Sequence, residues 1–259
     1  MIAFQHRVRD AFDQAGTAYD RYSVLQRHAF LELLPLLPES VDESSCWLDV
    51  GSGTGLVSEV LSSLRPGVQV ISFDLAAGML GLAAEKGSRL LVQGDMHQLP
   101  FQSESLSVVL SNFALQWTDQ PAMVLAELVR VLRGDGLMAI SVPVRGSLQA
   151  LSRGWESAGL RSPVNALPPQ AAWLEAAHRH GLQIVEQRNA RLRHADDDPR
   201  QALALLRDLG AGAQKKPATG LMGVRRWQKA LAGWSLASGG QGYCIDYDVL
   251  WLVLVKKTS

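Results

Sequence analysis

The sequence predicts an α/β protein: a doubly wound, mostly parallel sheet with N-terminal helices and a helical insertion before the last strand. Three observations carry that reading. Short apolar runs alternate with segments of helical period between residues 46 and 142. The first run opens into Gly51-Ser52-Gly53-Thr54-Gly55 and resumes as a helix. The chain has 259 residues, 47% hydrophobic and 19% charged, enough for one such domain and unlike a mainly disordered chain.

The first forty residues read as helical. Val24, Leu25, Phe30, Leu31, Leu33 and Leu34 mark an amphipathic stretch, and Pro35 and Pro38 end it because proline lacks the N–H a helix interior needs. Residues 46–50 are short and apolar, as a buried strand requires, and 56–64 follow as a helix. A second strand over 68–73 ends at Asp74, a helix covers 76–86, and a third strand over 89–92 ends near Gly94-Asp95. Residues 106–110 form a fourth strand. Pro121 near the start and Gly134 past the end bracket a helix over 121–132, and 137–142 supply the fifth strand. Beyond Pro143, helices are predicted over 147–158 and 169–180, with a strand over 182–186. Between about 196 and 242, alanine, leucine, glycine and basic residues dominate with little strand character, which reads as the insertion before a last strand over 247–255. No linker separates two cores, so 1–259 reads as a single domain.

Composition narrows the class. Basic and acidic residues balance at 25 each, so the total implies no nucleic acid or membrane partner. Cys46 and Cys244 are too few for a disulfide framework and lack the C-x-x-C spacing of zinc or redox sites, which fits a reducing cytoplasm. The N-terminus has no unbroken apolar segment, and the apolar run over 249–255 is far below the ~20 residues that span a bilayer. His97, His178 and His180 form no metal-like cluster with acids, so no metal is expected.

The glycine loop carries the chemistry. Glycines at a strand-to-helix turn let the backbone approach a ligand at the carboxyl edge of the sheet. Dinucleotide folds space them G-x-G-x-x-G, whereas this chain has G-x-G-x-G with Leu56 at the last position, a poorer fit to a diphosphate. In these residues the chain resembles the class I, Rossmann-like methyltransferases, whose acidic-x-G-x-G-x-G loop receives S-adenosylmethionine and leaves S-adenosylhomocysteine. Asp49, Gly51, Gly53 and Gly55 match that motif. Asp74, with Leu75 beside it, ends the second strand where the family places a carboxylate on the ribose hydroxyls, although a helix cap is the competing role there. Asp95-Met96 falls where the family meets the adenine. Asn112, Phe113, Gln116 and Trp117 follow the fourth strand near the transferred methyl; Phe113 and Trp117, four apart, would equally suit a helical core.

Two further stretches resemble the malonyl-[acyl-carrier protein] O-methyltransferases of biotin synthesis. They are 11–27, with Thr17-Ala18-Tyr19-Asp20 and Leu25-Gln26-Arg27, and the pieces Leu209-Gly210-Ala211, Gly220-Leu221-Met222-Gly223 and Tyr247-Asp248-Val249-Leu250. That resemblance implies S-adenosylmethionine-dependent esterification of the free malonyl carboxylate on acyl-carrier protein. It makes 1–40 a lid, 45–145 the cofactor-binding core and 196–242 the substrate and partner insertion. Tyr19 is then the candidate catalytic and substrate-binding phenol, and Arg145 and Arg207 are candidates for the carboxylate clamp. From 187 to 230 ten basic residues face four acidic ones. Lys215, Lys216, Arg225, Arg226 and Lys229 could steer an acidic carrier, or form an ordinary solvated face. Alternatives stay open: a methyltransferase for a quinone precursor or free dicarboxylic acid, a non-catalytic S-adenosylmethionine-binding protein, and a nucleotide-binding oxidoreductase.

Overall fold

The computed structural model describes residues 2–15, 19–20, 23–37, 46–206 and 223–257. Helices α1 (Ile2–Ala15) and α2 (Val24–Leu33) precede the alternation β1 (Cys46–Val50), α3 (Leu56–Leu64), β2 (Gln69–Asp74), α4 (Ala77–Glu85), β3 (Leu90–Gln93). Then come β4 (Leu106–Asn112), α5 (Pro121–Val131), β5 (Leu132–Pro143), α6 (Gln149–Ser157), α7 (Gln170–Arg179), β6 (Leu182–Asp196), α8 (Pro199–Leu206), α9 (Val224–Ala237) and β7 (Tyr243–Lys256). The strands form one sheet in the order β3-β2-β1-β4-β5-β7-β6; β7 runs antiparallel to both neighbours and the other pairs are parallel.

The sheet divides two cores because successive strand residues face opposite sides. Trp47, Val108, Leu110, Trp251 and Val253 face one core, where Phe30 and Leu33 of α2, Leu61 of α3 and Trp234 of α9 cover them. Leu48, Val109, Ile140, Leu250 and Leu252 face the other, under Leu125 and Leu128 of α5 and Trp173 of α7. With both faces covered, the central strands are mostly apolar, which is why their short runs are readable in the sequence.

Two side chains tie peripheral helices to this frame. The Trp251 indole Nε1 donates to the Ala29 carbonyl at 2.9 Å, joining β7 to α2. On α9, Trp234 is fully buried; its Nε1 donates to the Cys244 carbonyl at 2.9 Å, and its ring meets Trp155 at 5.9 Å and Tyr243 at 5.1 Å. Trp227, two turns earlier, stands edge-on to Trp155 at 5.8 Å.

Several expectations need correction. The strand expected over 182–186 continues to Asp196, paired with β7 along its length, so Arg188, Arg191 and Arg193 belong to the sheet rather than to a helical insertion. Their charges are engaged: Arg188 meets Glu186, Arg191 forks onto Asp248 at 2.6 and 2.8 Å, and Arg193 donates to the Ser238 carbonyl and the Cys244 sulfur. Residues 196–242 then hold seven basic and four acidic residues, a smaller excess than the 187–230 count suggested. Strand β5 starts at Leu132, not 137, because Leu132 pairs with Leu106. In α2, Leu25, Phe30 and Leu33 are buried, whereas Val24 and Leu31 face solvent.

Candidate functional site

β1 has β2 on one side and β4 on the other, so the strand order reverses at its carboxyl end, and such a switch point opens a crevice in doubly wound sheets. Two cavities lie there, sharing Tyr19 and Gly51 in their walls. The larger encloses about 710 Å³, its open mouth included, between α1 (Gln5, Arg9, Phe12) and the ends of the parallel strands. The smaller, about 450 Å³, lies among Gln26, Asp49, Ser52, Lys86 and Asn112.

The glycine loop is built for close approach at its first position. Gly51 has φ +75°, and a Cβ there would collide with the Ala114 methyl. The Gly51 and Ser52 amides donate to the Phe73 carbonyl at 2.8 and 3.0 Å, and the Gly53 amide donates to Asp74 Oδ2 at 2.9 Å. Gly55 plays a different part from the one its spacing suggests. It lines neither cavity, and a Cβ on it would press on Ser88 and Ala83, so it serves helix packing.

Asp74 is not the helix cap, a place that Ala76 takes without a side-chain cap bond; its Oδ1 accepts the Ala76 amide in the turn before α4, and the residue lines the larger cavity beside Leu75. Burial raises its pKa, and the Ala76 and Gly53 amides partly offset that. At the far end, Asp95 accepts Gln5 Nε2 at 2.8 Å and the His97 amide at 3.0 Å, with His97 Nδ1 at 2.7 Å; Met96 lines the wall beside it. Asp49 is 1% exposed, and its Oδ2 has no hydrogen-bond partner among the described residues. Burial, then the neighbouring Asp74 charge, push its pKa up to about 8.

Asn112 is held by Ser141 and donates to the Gln26 carbonyl at 3.0 Å, facing the smaller cavity. Phe113 and Trp117 do not share a helix. Phe113 has φ +53°, and Leu115–Trp117 is a short 3-10 turn. The Phe113 backbone is over-determined, its amide bonded to the Ser141 carbonyl and its carbonyl accepting Gln116 Nε2, which is how a strained residue persists at a site. Gln116 lines neither cavity. Phe12, Tyr19 and Trp117 form an aromatic wall, with Phe12 at 6.1 Å from Tyr19 and 5.5 Å from Trp117.

Arg145 is exposed and lines neither cavity; its amide bonds to the Pro168 carbonyl. Arg207, Lys215 and Lys216 lie outside the described residues. Arg225, Arg226 and Lys229 are exposed on α9. Sequence reasoning missed Gln5, Phe12, His97 and Lys86. Lys86 pairs with Asp20 and donates to Thr54 Oγ1 at 3.1 Å. Gln5, Phe12 and Lys86 reach the site through contacts distant in sequence, so no local motif marks them, whereas His97 bonds Asp95 two residues before it.

This sheet, with the glycine loop at its switch point, defines a class I, Rossmann-like methyltransferase, and residues 48–140 match a family model described as a methyltransferase domain. In fold the chain resembles geranyl diphosphate C-methyltransferase from Streptomyces coelicolor A3(2), solved with S-adenosylhomocysteine: TM-score 0.54 and 13% identity, over 91% of this chain and 79% of that one. Two curated malonyl-[acyl-carrier protein] O-methyltransferases align along most of their length. That of Alcanivorax borkumensis is 32% identical over 96% of this chain and 86% of its own, and that of Laribacter hongkongensis 34% identical over 95% and 87%. The chain belongs to the malonyl-[acyl-carrier protein] O-methyltransferase family.

Proposed function

We propose that the protein uses S-adenosylmethionine to convert the free carboxylate of malonyl-acyl-carrier protein to its methyl ester, which the family resemblance makes an early step of biotin synthesis. Full-length similarity to relatives of that name carries the reading. Masking the carboxylate would let the malonyl unit enter chain elongation. The free cysteines Cys46 and Cys244 suit a cytoplasmic enzyme, and among the described residues no helix is long and apolar enough to cross a membrane.

The residues present fit the donor. Asp74 and Asp95 line one cavity and the unpartnered Asp49 oxygen the next, and these carboxylates suit hydroxyl, amine and cationic groups of a ligand better than a diphosphate. Asp74 would meet the ribose, and Leu75, Met96 and Asp95 the adenine. When bound, S-adenosylmethionine supplies an electrophilic methyl group on its sulfonium.

A malonyl carboxylate is already ionised near pH 7, so transfer needs no general base. Tyr19 is unsuited to be one: burial, then the nearby Asp74, hold its pKa above the usual phenol range. It stays protonated and can donate a hydrogen bond that orients the acceptor, while Phe12, Phe113 and Trp117 exclude water from the reacting pair. Tyr19→Phe should therefore lower turnover about 10–100-fold, the worth of a hydrogen bond to a charged group. S-adenosylhomocysteine affinity should stay within about twofold; full activity in the variant would reduce Tyr19 to packing.

Asp49 sets a pH signature. Because its folded pKa lies above the unfolded value, the unfolded chain gives up this proton first, and the contribution to stability falls as pH rises from about 4 to about 8. A cationic ligand beside it favours the carboxylate. Donor binding at pH 7 should therefore release a proton, read calorimetrically as an enthalpy that changes with the ionisation heat of the buffer. A buffer-independent enthalpy would place the ligand's charge elsewhere.

The exposed Arg225, Arg226 and Lys229 would steer an acidic carrier toward α9. Arg225→Glu with Arg226→Glu should cut kcat/KM for the carrier-bound substrate about tenfold at low salt and leave malonyl-coenzyme A nearly unaffected. Equal losses on both would move the docking site. The reaction itself is tested by mass spectrometry of malonyl-acyl-carrier protein after incubation with enzyme and S-adenosylmethionine, with acetyl-carrier protein in parallel. One added methyl on the malonyl carrier alone supports the reading; none on any malonyl thioester overturns it.

A further inference from the structure

Phe113 stands in the wall of the larger cavity, and its two backbone bonds fix the main chain at φ +53° without fixing the direction of the ring. Tyr247 supplies that constraint. Its ring meets the Phe113 ring edge-on, with centroids 5.4 Å apart and planes at 81°, an arrangement that favours one mutual orientation. Phe113 is 6% exposed and Tyr247 8%, so neither ring can turn into solvent.

Tyr247 is itself held. Strand β5 ends at Pro143, opposite Val249, and Tyr247 lies two residues from Val249 on β7, past the carboxyl end of the parallel strands where the cleft opens. Leu192 of β6 pairs with it on one side. On the other, the carbonyls of its two chain neighbours, Asp246 and Asp248, accept the Leu148 and Val144 amides at 2.6 and 2.8 Å. The Arg191 fork on the Asp248 carboxylate ties the same turn of strand to β6. The tyrosine therefore carries the stiffness of the sheet to a side chain in the cleft wall.

We propose that Tyr247 is a positioning residue for methyl transfer: it holds the Phe113 ring in the wall against which the acceptor carboxylate is aligned. A strand outside the 48–140 methyltransferase domain then sets the geometry of the reacting pair. The inference rests on the proposed methylation of malonyl-acyl-carrier protein. With no general base to move a proton, alignment and exclusion of water carry the rate, and a displacement of about 1 Å can cost about 100-fold. Tyr247 lines neither cavity, so its loss should act on turnover rather than on donor affinity.

Steady-state kinetics, calorimetry with S-adenosylhomocysteine and urea unfolding test this on the full chain. Tyr247→Leu should lower kcat about 10–100-fold, with KM for malonyl-acyl-carrier protein and affinity for S-adenosylhomocysteine within about threefold of wild type. Tyr247→Phe, which keeps the ring and gives up the hydroxyl, should recover most of that loss. Phe113→Leu should lower kcat by a similar factor, and the double variant with Tyr247→Leu should be no worse than the poorer single one, because both act through one ring. Urea unfolding shows whether each variant is folded under assay conditions, and Tyr247→Met replaces the leucine variant if that one is not. An unchanged kcat in the folded leucine or methionine variant overturns the proposal. So does a phenylalanine variant as impaired as the leucine one, a multiplication of the two single losses in the double variant, or a loss of S-adenosylhomocysteine affinity in step with kcat. Wild-type protein that methylates no malonyl thioester would refute the proposed function instead.

Discussion

Gly51→Ala should destabilise the protein by about 2–5 kcal/mol and remove measurable S-adenosylhomocysteine binding. Two effects add. A side chain at φ +75° costs about 1–2 kcal/mol in the left-handed region, and a methyl forced into a filled space costs about 1–3 kcal/mol more. The Cβ would strike Ala114, which follows the strained Phe113, and neither segment can yield easily. The Gly51 amide is bonded to β2 and the Phe113 amide to β5. Relief must therefore move the loop that forms the cleft floor. Urea unfolding gives the first quantity and calorimetry the second. A variant as stable as wild type would show that the loop accommodates a Cβ, contrary to the geometry.

Trp251→Ala should cost about 3–5 kcal/mol, the range for deleting a large buried aromatic. Its indole fills the core beneath α2 and bonds the Ala29 carbonyl, so the loss should also loosen that helix. Trp251→Phe separates the two contributions. It keeps most of the ring and gives up the hydrogen bond, typically about 0.5–1.5 kcal/mol. Equal urea midpoints for wild type and the alanine variant would refute the packing argument.

The core was legible because central parallel strands are buried on both faces. Residues 46–50 and 106–110 announce themselves as apolar runs, and the strands they predict begin at the same residues in the structure. The outer half of β6 was not legible. Its Arg188, Asn189, Arg191 and Arg193 look like a solvated segment until β7 lies alongside and supplies Asp248 and the Cys244 sulfur. The site divides similarly. Asp49, Gly51, Gly53, Asp74 and Asp95 follow from their places at strand ends, because topology alone sends those ends to the switch point. Gln5 and Phe12 bound the cleft through packing of α1 onto it, and Gly78 receives its amide partner from Asp13 across 65 residues. Such pairings leave no periodic trace.

If the carrier docks at α9 as proposed, the tryptophan contacts under that helix determine the thermodynamic character of the association. Trp227 and Trp234 fix the helix to Trp155, so the face bearing Arg225, Arg226 and Lys229 is ordered before any partner arrives. A preorganised surface leaves little conformational entropy to be lost on association. Docking at α9 should accordingly show a small heat-capacity change and an affinity governed by ionic strength, the signature of rigid charges meeting rather than of a segment folding onto its partner.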